Sequence, residues 1–169
     1  GSWRHKTVAM ILGGVLLVLA GAWIYVKYSR PPINSVAILP FVNDSNEPNV
    51  EYLSDGITES IINSLSQLPN LKVMSRNAVF RFKGRTVDPM EVGHSLQVGA
   101  VLMGRLVKMG DRLVIKTELI DVSDGSQLWG AEYNNSLADI LSVQDEISHT
   151  ISEKLRFRLT GQDEERLSR

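Results

Sequence analysis

The sequence predicts an α/β (α+β) domain built on a mixed sheet of about five strands and preceded by one transmembrane helix. Three observations predict this fold class. An uncharged apolar segment lies near the start of the chain, strand-like runs alternate with segments of helical spacing, and three later strand-like runs are joined by tight-turn residues. The predicted order after the membrane segment is β-α-β-α-β-β-β-α, which describes helices packed against a mixed sheet.

The apolar segment at residues 7–26 contains no charged side chain. As a helix rising ~1.5 Å per residue it would extend ~30 Å, the thickness of the hydrocarbon core of a bilayer. Aromatic and basic residues, which favour headgroup depth, stand at both ends: Trp3, Arg4, Lys6, Trp23, Tyr25, Lys27, Tyr28 and Arg30. We therefore expect residues 1–30 to form a transmembrane helix with basic flanks that contacts the lipid bilayer through residues 7–26. The flanks carry equal numbers of Lys and Arg, so charge predicts no orientation.

A cleaved signal peptide is the alternative for this segment, because Ala20-Gly21-Ala22 has the small-residue spacing of a cleavage site. The apolar run continues beyond it to Val26, which favours a retained span. The chain starts at Gly1-Ser2 without a methionine, which predicts a fragment of a longer protein; the alternative is that Gly1-Ser2 is an addition to the natural sequence. Gly13-Gly14 would permit close packing of two such helices, and homodimerisation through them is left open.

Beyond a linker at residues 31–34, the periodicity predicts one domain over residues 35–160. Its predicted strands cover residues 35–41, 71–75, 100–108, 112–122 and 127–133, and its predicted helices run from Asp55 to about Gln67, from Asp88 to Gln97 and onward from Ser136. A polar loop is predicted at residues 43–49, and residues 161–169 read as the start of a linker to a downstream domain.

Local signals support these elements. Pro89 suits the first turn of its helix, and Asp124-Gly125 is a strong hairpin signal. Ser136 with Asp139 three residues later has the pattern of a capping box. Apolar stripes on the first and last helices predict buried faces, with Ile61 and Ile151 as members.

Charge and composition exclude several classes of function. The net charge of −1 hides an asymmetry, because four basic and no acidic side chains lie in the first thirty residues. The remainder holds 14 Lys and Arg against 19 Asp and Glu, a formal −5, so nucleic acid is not an expected partner. The chain has no cysteine, which excludes disulfides, thiolate catalysis and cysteine-liganded metals within it.

The sequence offers no constellation for catalysis, and we expect no catalytic, cofactor-binding or metal-binding residue. The three histidines, His5, His94 and His149, are scattered and form no metal-binding pair. There is no nucleophile elbow and no glycine-rich phosphate loop. The chain itself is therefore predicted not to be an enzyme and to need no cofactor.

Three further patterns have a structural and a functional interpretation. Asp121 and Asp124 lie near a hairpin turn, where turn formation is favoured over an acid/base pair. Four basic residues are interleaved with two phenylalanines over residues 76–85, a pattern also found in proteins that bind single-stranded nucleic acid. They are Arg76, Phe80, Arg81, Phe82, Lys83 and Arg85. A solvated loop with the two phenylalanine rings in the core is favoured. Trp129 lies within a strand and is predicted to be core rather than a ligand platform.

Several stretches, in order, resemble one family. They are SVAILPF (35–41), EYLSDGITESIINSLSQLPNLKVMSR (51–76), VFRFKGR (79–85), LMGRLVKMGDRLVIKTELIDVSDGSQLWGAEY (102–133) and LADILSVQDEI (137–147). Together they resemble the TolB amino-terminal-like domain, related to flagellar FlgO-type domains. The resemblance covers nearly all of residues 35–158. It departs after Tyr133, where relatives often carry a charged run and this chain has Asn134-Asn135-Ser136, which argues against a ligand role at that edge.

The resemblance implies an extracytoplasmic sensor or protein-interaction domain of a single-pass protein in the bacterial inner membrane, with a protein partner. It implies a receptor-type serine/threonine protein kinase with tetratricopeptide repeats as the parent, and it supplies no catalytic residues. The alternatives are the same module in a membrane-bound winged-helix regulator or adenylate cyclase, and an envelope assembly domain without a signalling role.

Overall fold

The computed structural model describes residues 2–28, 33–45 and 47–167, with side chains at residue 8 and at 11–25, 33–45 and 47–155. The chain divides into two units, Gly1–Pro31 and Pro32–Arg169. The first unit contains one helix, α1 (Ser2–Tyr28). Its described apolar side chains are exposed, among them Leu17 and Val18.

Helix α1 is the element in which a membrane span was predicted. No helix among the described residues is both long enough and apolar enough to cross a membrane. The predicted span at residues 7–26 is thus not supported by this finding. The side chains of residues 7, 9, 10 and 26 within that span lie outside the described residues, as does the side chain of His5.

The second unit holds the α/β domain. Its elements are β1 (Ser35–Ile38), β2 (Val42–Asn43), α2 (Pro48–Ser66), β3 (Lys72–Val73), α3 (Arg76–Phe80), α4 (Pro89–Leu96), β4 (Ala100–Met109), β5 (Arg112–Asp121), β6 (Gln127–Ser136), a short 3-10 helix (Leu137–Asp139) and α5 (Ile140–Leu167). The predicted element types and their order are confirmed. Two short elements, β2 and α3, were not predicted.

The sheet is mixed, as predicted, and has six strands rather than about five in the described part of the chain. Its order is β3-β1-β4-β5-β6, with β2 also paired to β4. The pairs of β1 with β3, β1 with β4 and β2 with β4 are parallel, and the two pairs β4–β5 and β5–β6 are antiparallel. Strand β2 continues the path of β1 along β4 after an interruption at residues 39–41. The strand predicted at 35–41 therefore ends early, at Ile38, and β2 lies beyond its predicted end.

Helix α2 begins at Pro48, well before the predicted N-cap Asp55. Pro48 occupies the first turn after Glu47, a position where a missing N–H costs nothing. The side chain of Asn43 donates to the carbonyl of Glu47 at 2.9 Å and so shapes the entry to the helix. The carboxylate of Asp55 accepts from Lys83 Nζ instead of capping the helix.

The predicted alternation of burial along β5 holds in part, because Val114 and Ile120, on the face of the charged residues, are also buried. Leu113, Ile115, Thr117 and Leu119 are almost fully buried, whereas Arg112, Lys116 and Glu118 on the other face are exposed. Helices α2 and α5 pack against each other, and α4 packs against β4 and β5. Ile61 and Ile151 are completely buried, which confirms the helical faces predicted for α2 and α5.

Candidate interaction edge

Strand β6 forms one end of the sheet. Within the described residues it pairs with β5 alone, and it is ten residues long. The strand at the opposite end, β3, has two residues. A long edge strand exposes a row of backbone donors and acceptors that can pair with another chain. The outer side of β6 is therefore the candidate interaction edge of this domain.

The hydrogen bonds of β6 show which backbone groups face outward. The carbonyl of Ala131 accepts a 3.3 Å hydrogen bond from Thr117 Oγ1 on β5, so Ala131 directs its backbone groups toward β5. Because these groups alternate along an antiparallel strand, Gly130 and Glu132 direct theirs toward the outer edge. Farther along, Arg112 Nη2 donates to the carbonyl of Asn134 at 2.6 Å. The free part of the edge is therefore centred on Gly130 to Glu132.

Side chains on β6 differ between its two faces. Trp129, Ala131 and Tyr133 share the face on which β5 presents Leu119, Thr117 and Ile115, their partners in register. Both aromatic rings are half-buried and pack against the core. Trp129 was predicted to be core, and its partial burial follows from its place on the last strand, which leaves one side of the ring without a neighbouring strand.

Charged groups adjoin this strand on both faces. Burial, and secondarily the negative charge of Glu146 on α5, raises the pKa of Tyr133 above its ordinary value. On the opposite face, the carboxylate of Glu132 lies 3.3 Å from Lys116 Nζ across the strand pair. Exposed pairs of this kind contribute little to stability, so Glu132 is free to be replaced without breaking the sheet.

Two of the three histidines, His94 and His149, have described side chains. His94 and His149 are both exposed, and His149 Nδ1 lies 3.7 Å from Glu153 Oε2 one turn along α5. In the part of the chain whose side chains are described, no group of three or more His, Asp or Glu residues is arranged to hold a metal ion.

The aspartates near the β5–β6 hairpin shape the turn. Asp121 is buried, and its Oδ1 accepts from the backbone N–H of Ser123 at 2.9 Å and from its hydroxyl at 2.6 Å. Asp124 Oδ1 accepts from the N–H of Ser126 at 2.9 Å. These are the side-chain to backbone bonds of Asx turns, in agreement with the turn interpretation.

The basic stripe at residues 76–85 is tied to α2. Lys83 Nζ lies 2.6 Å from Asp55 Oδ2 and 2.9 Å from Glu51 Oε1, and Arg76 pairs with Glu59. Partial burial acts to lower the pKa of Lys83, but the hydrogen bonds and charges of Asp55 and Glu51 outweigh it, and the pKa is raised. Two of the four cations are thus engaged by carboxylates, which disfavours a stripe for nucleic acid.

The sequence predicts strand 127–133 and argues against a ligand role at the edge after Tyr133, but it does not predict that this strand lies outermost in the sheet. The strand continues to Ser136, because Asn134 and Asn135 pair in register with Val114 and Leu113. The order of strands in a sheet depends on contacts between distant segments, so no local signal marks which strand lies outermost. The length of the run from Gln127 to the helix signal at Ser136 was the one available hint.

The fold is that of an α+β domain with a mixed sheet, and its last strand, β6, leaves an outer backbone edge unpaired within the described residues. Residues 33–150 match the family model described as HilA/YgeH-like transcriptional regulator, second domain. The chain therefore belongs to this family. The match covers the entire sheet and helices α2 to α4, and it ends within α5.

Individual relatives extend this picture. The chain is 43% identical over 136 residues to "Putative adenylate cyclase 3" of Rhizobium meliloti (strain 1021), a match that covers 80% of this chain and 23% of that protein. The chain thus spans less than a quarter of that relative's length. Its fold resembles the lipoprotein GNA1162 of Neisseria meningitidis, with a TM-score of 0.51, 22% identity, and coverage of 71% of this chain and 95% of the other.

TolB from Acinetobacter baumannii matches with a TM-score of 0.49 and 18% identity over 79% of this chain and 29% of that one. The parent protein predicted from the resemblance, a serine/threonine kinase with tetratricopeptide repeats, has no support in these matches. The relative that is 43% identical over 136 residues bears the name "Putative adenylate cyclase 3".

Proposed function

We propose that this chain is the protein-interaction domain of a larger, membrane-anchored bacterial signalling protein, and that its contacts control the output of a domain elsewhere in that protein. The observation that carries the proposal is the free outer edge of β6, centred on Gly130 to Glu132. A strand edge gives affinity through backbone hydrogen bonds, and neighbouring side chains give specificity.

The parent protein is proposed from the relatives. An adenylate cyclase and transcriptional regulators are the contexts that the comparisons name, and both couple a signal to an output. We favour the cyclase context, because its relative shares 43% of residues over most of this chain. The alternatives are a kinase parent and an envelope assembly role without signalling, and the test below distinguishes the cyclase context from both.

Helix α1 is the proposed anchor in the inner membrane. The sequence of residues 7–26 holds no charge, and described side chains along it, such as Leu16 and Leu17, are apolar and exposed. Apolar side chains exposed along a helix favour a lipid environment over water. An extracytoplasmic position for the second unit rests on the family resemblance and is tested separately below.

A proline at the edge tests the proposal. In the full-length parent protein, Glu132→Pro removes an N–H that points away from β5. An edge strand tolerates this loss, but a strand docked on β6 would lose a hydrogen-bond donor. We expect the cyclic AMP content of cells to change several-fold, with the melting temperature of the purified chain preserved within a few degrees. Arg85→Ala, exposed and remote in sequence from β6, is the matched control that should leave the output unchanged.

The same experiment has a clear negative result. A folded Glu132→Pro protein with unchanged cyclic AMP would contradict a regulatory role for this edge. A loss of folding would be diagnosed by comparison with Ala131→Pro, whose N–H faces β5 and whose replacement must break a bond of the sheet. In that case Glu132→Lys, which blunts an edge without a backbone change, replaces the proline variant.

A further inference from the structure

The β6 edge is complementary to a second copy of itself. Resting on the interaction role proposed above, we propose that its partner is another molecule of this chain, paired antiparallel through β6 about a two-fold axis at Ala131. A symmetric contact uses the same patch on both molecules. The axis lies perpendicular to the sheet, so the two sheets join into one and their buried faces lie on the same side.

The backbone supports this register. When Ala131 lies on the axis, Gly130 of one copy faces Glu132 of the other, and the reverse pair forms on the other side of the axis. Both residues direct their N–H and C=O groups outward, as inferred from the Thr117–Ala131 hydrogen bond. Directly opposed residues of this kind exchange two hydrogen bonds per pair. The pairing therefore satisfies the free part of the edge.

The side chains support the same register. Trp129 of each copy faces Tyr133 of the other, so the contact contains two such aromatic pairs. Both rings are half-buried and lie on the same face of the sheet. Their positions form non-hydrogen-bonded pairs, in which side chains approach most closely, and aromatic cross-strand pairs are favourable. The exposed part of each ring would then be covered by its counterpart.

Neighbouring symmetric registers are less favourable. An axis at Glu132 places two carboxylates directly opposite each other, and like charges in that position oppose pairing. An axis at Gly130 places Trp129 opposite Ala131 and removes the aromatic pairs. The charge at Glu132 thus selects against one alternative and the aromatic spacing selects against the other. A contact over so few residues predicts a weak, concentration-dependent dimer.

A single cysteine at the axis tests the inference, because the chain contains none of its own. In the full 169-residue chain, Ala131→Cys places two thiols on opposite sides of the two-fold axis, within reach of a disulfide. Mild oxidation should convert most of this variant to a covalent dimer. Asn135→Cys is the matched control on the same face: its two copies would be separated by ~25 Å in this register, and it should give at least tenfold less dimer.

The results separate this inference from the proposed function. Adding Glu132→Pro to Ala131→Cys should abolish the covalent dimer, and a circular dichroism melt establishes that each variant is folded. Equal cross-linking at residues 131 and 135 would reveal random collision or association through α1, and would overturn the inference. A chain that stays monomeric would do the same. If Glu132→Pro still alters cyclic AMP in that case, the interaction role stands and the partner is a different protein.

Discussion

The close contact between Gly104 and Phe41 illustrates how single residues set the packing of this sheet. Phe41 is buried where β1 gives way to β2, and its backbone N–H donates to Thr58 Oγ1 at 3.0 Å. Its carbonyl accepts from the hydroxyl of Ser54. A Cβ added at Gly104 on β4 would overlap the Phe41 ring. Because the backbone at Phe41 is held from both sides, the ring cannot move away easily.

Alanine at this glycine should therefore be costly. We expect Gly104→Ala to lower the free energy of unfolding by about 1–3 kcal/mol, the usual cost of overpacking. Gly56→Ala on α2 is the matched control, since nothing lies within 4 Å of an added Cβ there, and alanine in a helix is favoured by about 0.5–1 kcal/mol over glycine. Urea denaturation measures both. A stabilising Gly104→Ala would contradict the packing described.

The phenol of Tyr133 gives a prediction on pH. Its pKa is raised, first by burial and then by Glu146, so the folded state favours the neutral phenol. This contribution to stability is complete below the unfolded pKa of about 10 and is lost as pH rises through the folded pKa. The wild-type chain should thus lose more stability than Tyr133→Phe between pH 9 and 12.

Thermal melts across that range measure the difference between the two chains. Glu146→Gln should lower the pKa of Tyr133 toward its ordinary value, as read by the ultraviolet absorbance of tyrosinate with Tyr133→Phe as the blank. Parallel pH profiles for wild type and Tyr133→Phe would show that the phenol has no altered titration.

At the scale of elements, the packing of α2 against α5 depends on apolar stripes that the sequence displays. Ile61 and Ile151 are completely buried in the two helices. Replacement of either by alanine should cost about 2–5 kcal/mol in the free energy of unfolding. Ser60 and Ser152, neighbours on the less buried sides, should tolerate alanine within about 0.5 kcal/mol. Equal losses at all four positions in denaturant titrations would mean that the helical faces are wrongly assigned.

Asp88 and Ser136, each at the start of a helical segment, differ in what their side chains do. Asp88 Oδ1 accepts from the N–H of Met90 at 2.8 Å at the start of α4. Ser136 was predicted to form a capping box, but it makes no bond to a helix N–H, and its hydroxyl donates to Asp139 Oδ2 at 2.8 Å. The predicted capping box is therefore wrong, because the segment begins as a 3-10 turn in which the two side chains bond each other.

Alanine at each position measures that difference. Asp88→Ala should cost about 1 kcal/mol, the typical value for a lost cap. Ser136→Ala should cost less, because no backbone donor loses its partner. Chemical denaturation of the two variants under one set of conditions decides the order. A larger loss for Ser136→Ala would indicate that the capping box forms in solution.

For the whole molecule, the proposed topology has the greatest consequence for function. A single cysteine at Asn63, exposed on α2, provides a probe in the full-length protein. Ser126, near the hairpin, is less suitable because it is half-buried and its N–H donates within the turn. With the outer membrane permeabilised, a bulky membrane-impermeant maleimide should label Asn63→Cys in intact cells.

The control for this experiment lies on the other side of the proposed anchor. Ser2→Cys should label only after lysis, because the proposed orientation places it in the cytoplasm. The reverse pattern would put the second unit in the cytoplasm and leave a tethered intracellular interaction domain. Labelling of both positions in intact cells would show that α1 does not cross the membrane.

Local periodicity was sufficient to predict most of this fold. The apolar stripe through Ile61 and the alternation around Ile115 report which side of an element is buried, because helices and strands repeat every 3.6 and 2 residues. Turn residues such as Asp124-Gly125 mark where strands reverse. These signals act over a few residues, so they can be recognised in the sequence without knowledge of the partners.

The tertiary structure decided what depends on distant segments. The parallel insertion of β1 between β3 and β4 and the engagement of Lys83 by Glu51 and Asp55 both join residues that are far apart in sequence. The outermost position of β6 follows from the same long-range order. A strand shows its buried face through its own side chains, but its backbone groups are alike in every sequence, so only the assembled sheet determines which of them are left free.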